Sequence, residues 1–88
     1  MKKPIHFTHH AEVKLLLLRQ HGFKMTKRDI AAILREPMRI CLGYSGRKVA
    51  ENHITNEYIL RVIFEESPSE LRVITMYPAR GDRYESKL

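Results

Sequence analysis

The sequence predicts an α+β fold in which two N-terminal helices pack on one face of a four-stranded, twisted antiparallel sheet, in the order α-α-β-β-β-β. Three observations predict it. Apolar residues recur at helical spacing as far as Leu34, and after Pro37 the period falls to two. The strand-like runs that follow are joined by loops too short for parallel crossovers.

Thr8 is placed to cap a first helix over residues 9–21, with Glu12 facing the positive end of the dipole and Gly22 as the residue past its end. Ala11, Leu15 and Leu18 form its apolar stripe, which Leu16 and Leu17 widen. Thr26, Lys27, Arg28 and Asp29 read as a capping box with Asp in the Glu position, and Met25 with Ile30 supplies a hydrophobic staple. The second helix starts there, buries Ile30, Ile33 and Leu34, and stops near Glu36 because Pro37 disfavours helical backbone before it. Met38, Ile40 and Leu42 then alternate with Arg39 and Cys41 as a strand. Gly43, Tyr44, Ser45 and Gly46 turn the chain into a second strand near residues 47–53. Residues 58–64 are an apolar β-forming run broken only by Arg61, the pattern of a central strand. The last strand covers residues 71–77 and ends where Pro78 removes a ladder donor.

The 88 residues make one domain, 1–88, and 43% hydrophobic content suffices for a modest core. Sixteen Lys and Arg against ten Asp and Glu leave a charge of +6, which favours a polyanionic partner and puts nucleic acid first. Cys41 is the only cysteine, so no internal disulfide forms and a reducing cytoplasm is the expected compartment. It lies in an apolar run and reads as a small packed hydrophobe rather than a nucleophile. The run from Leu15 to Leu18, flanked by Lys14 and Arg19, is too short for an export signal, and no stretch approaches the roughly 20 apolar residues of a membrane span.

Arg61 is the first candidate site residue. A guanidinium inside a buried strand requires either a carboxylate partner, Glu51 or Glu65, or an open sheet face on which it meets solvent or a ligand phosphate. Tyr77, Arg80, Arg83 and Tyr84 then place two cations and two phenols within eight residues, groups that grip phosphate and stack on bases. Arg47 and Lys48 join that surface if the sheet curls. His6, His9 and His10 do not have metal-ligand spacing, since His9 and His10 diverge by about 100° on a helix. No metal and no cofactor is therefore expected.

The segments "IHFTHHAEVKLLLLRQHGFKMTKRDIAAILREP", "GRKVAEN", "YILRVIFEE" and "LRVITMYPARGDRY" resemble, in order, the small bacterial and archaeal domains related to the BrnT and RelE/ParE toxins. The nearest branch, without an assigned function, is marked by Thr8–His9–His10–Ala11 and by Thr75–Met76–Tyr77–Pro78. The resemblance implies two helices followed by an antiparallel sheet, and a type II toxin that cleaves RNA, free or on the ribosome, until a cognate antitoxin covers the basic sheet face. Cleavage by RNA's own 2′-hydroxyl needs a base, cations on the phosphoryl oxygens and an acid for the leaving oxygen, and no metal is obligatory. Under that reading Arg61, Arg80 and Arg83 hold the phosphate, Tyr84 or Tyr77 stacks on a base or donates a proton, His10 is the acid/base, and Arg47 and Lys48 bind RNA. RelE-type sites often use lysines, whereas here only Lys48 lies near the expected surface. The alternative is a noncatalytic nucleic-acid-binding or protein-interaction domain with the same basic surface.

Overall fold

The computed structural model describes residues 3–81. In chain order these form β1 (Ile5–Phe7), α1 (His9–Gln20), α2 (Lys27–Arg35), β2 (Arg39–Leu42), β3 (Lys48–His53), β4 (Tyr58–Glu66) and β5 (Leu71–Arg80), with one 3₁₀ turn at Tyr44–Gly46. The α+β class is as expected. The sheet has five strands rather than four, in the order β1-β5-β4-β3-β2, and it is mixed. β1 runs parallel to β5, pairing Ile5 with Leu71 and Phe7 with Val73, while every other neighbouring pair is antiparallel.

Both helix starts follow their caps. The Thr8 hydroxyl accepts from the Ala11 N–H at 3.1 Å and donates to the Ile74 carbonyl, and the Thr8 N–H donates to Val73 O at 3.1 Å. One residue thus ends β1, opens α1 and ties both to β5. At Thr26 the full capping box forms, with the Asp29 carboxylate accepting from the Thr26 N–H and the Thr26 hydroxyl accepting from the Asp29 N–H. α1 closes through His21 into Gly22, whose φ of 94° is the left-handed conformation glycine accepts without strain.

The helices lie on one sheet face. Ala11, Leu15 and Leu18 of α1 and Ile30, Ile33 and Leu34 of α2 pack on Ala50, Leu60, Val62, Phe64, Val73 and Met76. Leu16 and Leu17, expected to widen the α1 stripe, are 52% and 42% exposed instead, because only the 11–15–18 line faces the sheet. β5 continues through Pro78 to Arg80 instead of stopping at Tyr77. β1 covers β5 only as far as Val73, so Pro78 sits on a stretch with a single neighbouring strand among the described residues, where a missing donor is tolerated. Between Ile63 and Phe64 the β4–β5 register slips, leaving Ile74 as an extra residue on β5; this lets Val73 and Met76, three apart, both point into the core. No helix among the described residues is long and apolar enough to cross a membrane.

Candidate nucleic-acid interface

Alternation along the strands fixes what the helix-free face displays. Ala50, Val62 and Met76 pair in one row and all face the helices, so the next row, Arg39–Glu51–Arg61–Tyr77, projects from the other face across β2, β3, β4 and β5. The side chains of this row are bonded in sequence. Glu51, 1% exposed, receives Arg39 Nε on one carboxylate oxygen and Arg61 Nε on the other, both at 2.7 Å. Arg61 Nη1 in turn donates to the Tyr77 hydroxyl at 2.6 Å, with its guanidinium carbon 5.6 Å from the Tyr77 ring centroid. A carboxylate this deep is tolerated because both oxygens carry charge-assisted hydrogen bonds. The hydrogen bond and charge of Glu51 in turn push the Arg39 guanidinium further toward its protonated form.

This row borders a groove of about 320 Å³ whose lining includes Tyr44, Arg47, Val49, Arg61, Ile63 and Tyr77. Its volume is at the lower end for small-ligand clefts. Among the described residues the row sets two guanidiniums on the two oxygens of one carboxylate. Tyr77 accepts from Arg61, so its own phenolic proton points elsewhere and is available to a ligand oxygen. A cation held in place beside an O–H donor is a pairing that phosphoryl oxygens can accept from.

Of the residues singled out in the sequence, Arg61, Tyr77 and Arg47 come together here, and Arg47 Nε also reaches Glu65 Oε2 at 3.1 Å. Lys48 does not join them: its row partner is core Phe64, which puts it on the helix side, and it bonds Glu66 at 2.8 Å. Arg80 is likewise on the helix side, paired with Tyr58, its guanidinium carbon 5.9 Å from that ring, while Tyr58 meets Phe23 edge-on at 5.5 Å. His10 sits on α1 with Nε2 3.1 Å from the Thr75 hydroxyl and does not line the groove. Arg83 and Tyr84 lie outside the described residues. The sequence marks Glu51 only as one of two partners for Arg61, and Arg39 only as a residue of the alternating strand. Hairpin register was the missing signal, since the turn at residues 43–46 sets Arg39 opposite Glu51. Among the described residues no cluster of His, Cys, Asp or Glu is arranged to hold a metal ion.

Comparison with family models, with curated proteins and with solved structures finds no match for this chain.

Proposed function

We propose that the protein acts on RNA at the groove of its helix-free sheet face, as a metal-independent endoribonuclease and the toxin of a type II toxin–antitoxin pair. The observation that supports this reading most is the Arg61–Tyr77 hydrogen bond of 2.6 Å on the groove wall, backed by buried Glu51. Arg61 and Arg47 bind the scissile phosphate, and stabilisation of its developing charge by a cation already fixed in position lowers the barrier most effectively. Tyr77 hands its proton to the leaving 5′-oxygen, solvent water takes the proton of the attacking 2′-hydroxyl, and the tyrosinate is reprotonated from solvent. The partners under this reading are RNA, free or on the ribosome, and an antitoxin that covers the groove, in the cytoplasm.

Expression in a bacterial host should arrest growth, and purified protein should cleave RNA in the presence of a chelator; Tyr77→Phe should abolish cleavage in a folded protein. RNA left intact with and without ribosomes contradicts the reading. A second reading, noncatalytic RNA binding, is favoured by the position of His10 away from the groove, which removes the acid/base that the sequence supplied. Binding with a steep salt dependence and no cleavage products selects it.

A further inference from the structure

The cations of the helical layer are arranged differently from those of the sheet. Residues 8–36 contain Lys14, Arg19, Lys24, Lys27, Arg28 and Arg35 against only Glu12, Asp29 and Glu36. Asp29 is committed to the Thr26 cap, and Glu12 is held by Lys27 at 2.8 Å, which keeps its carboxyl below the usual range. Arg28 and Arg35 have no acidic partner among the described residues, and both are exposed. They sit on one face of α2 with Ala31 between them, at i, i+3 and i+7, about 10 Å apart along the axis.

That face borders a second groove, of about 530 Å³, lined by Phe7, Glu12, Lys27, Arg28, Ala31 and Arg35 among others, the Glu12 carboxylate there being the one already paired with Lys27. Lys27 Nζ lies 5.3 Å from the Phe7 ring centroid, so the groove has an aromatic wall under a cation. β1, on its other side, is the outer strand of the sheet, and the backbone N–H groups along its far side have no strand partner among the described residues. Unpaired guanidiniums at regular spacing, neutral donors and one aromatic surface suit a flexible polyanion whose phosphates recur along its length. An uncharged or cationic partner would leave the guanidiniums uncompensated.

We propose that this groove between α2 and β1 is a second nucleic-acid contact, which binds the backbone of single-stranded RNA flanking the stretch engaged at the sheet groove. The inference rests on the RNA reading above. Because the two grooves lie on different faces, the α2 contact sets affinity while the Arg61–Tyr77 groove sets the chemistry.

The test measures binding of a fluorescent 2′-O-methyl single-stranded RNA, which its own 2′-position cannot cleave, across a salt series. Arg28→Gln with Arg35→Gln should weaken binding about tenfold or more at low salt and reduce the log–log salt slope by about 1.4, at ~0.7 per lost phosphate contact. Arg72→Gln removes the same charge from a cation already paired with Glu70 at 3.3 Å, and should change the slope by less than half as much per residue. Circular dichroism should show both variants folded. Wild-type binding that the α2 double variant leaves unchanged overturns this inference and leaves the RNA reading standing. Wild type that fails to bind RNA at low salt, or binds polyglutamate in its place, overturns the RNA reading and this inference with it.

Discussion

Residues 8–36, which form the helical layer, hold six lysines and arginines against three acids; residues 38–81, which form the four antiparallel strands, hold six against five. In the sheet four of those five acids hold cations. Glu51 takes Arg39 and Arg61, Glu65 takes Arg47, Glu66 takes Lys48, and Glu70 takes Arg72. On the helices Arg28 and Arg35 have no such partners among the described residues. The difference teaches that cation count and cation role are separable. A guanidinium fixed by a buried carboxylate is pre-organised and suits a single reacting phosphate, whereas an unpaired one on a helix surface adapts to a moving backbone.

The comparison breaks most visibly at Glu51. Glu51→Leu leaves two guanidiniums without their carboxylate, and should lower stability by roughly 3–5 kcal/mol in urea unfolding. A loss under about 1 kcal/mol would mean that the sheet cations are no better held than those of the helices.

Arg61→Met is expected to be milder in stability and sharper in function. Arg39 still satisfies one Glu51 oxygen, so the loss should be roughly 1–3 kcal/mol, while RNA cleavage should fall by ~10²-fold or more. A stable variant with full cleavage would remove Arg61 from the reaction and leave it a purely structural residue.

The smallest effect concerns pH. Hydrogen bonds from Lys3 and Lys48, reinforced by their charges, lower the Glu66 carboxyl from the ordinary 4.5 to about 2. A carboxylate lowered on folding contributes stability above its unfolded value and loses that contribution as pH falls through the folded one. The stability difference between wild type and Glu66→Gln should therefore shrink between pH 4.5 and about 2. A difference that is constant across that window contradicts the pairing.

Both helices were legible because their signals are local: Thr8 and Thr26 cap within one turn of their own residues, and Pro37 stops α2 from one position away. β1 was not, because three alternating residues give no usable period and their partner, Leu71–Val73, lies near the other end of the chain. Pro78 misled the reading of β5 because a proline removes a donor wherever it sits, and only the sheet order reveals whether that donor had work. The same error placed Arg80 with Tyr77. Once β5 is known to run past Pro78, their spacing of three puts them on opposite faces. Arg61 was legible as a charge that must be compensated, yet the choice between Glu51 and Glu65 needed the β3–β4 register, which sets Glu51 directly opposite.

The central claim, that buried Glu51 holds the two cations beside it in its row, Arg39 and Arg61, is tested most directly by a double-mutant cycle between Glu51→Leu and Arg61→Met in urea unfolding. The double variant replaces the pair by apolar side chains, so its loss should fall short of the summed single losses by at least ~1 kcal/mol. Losses that add to within about 0.5 kcal/mol would show two independent residues, and would contradict it.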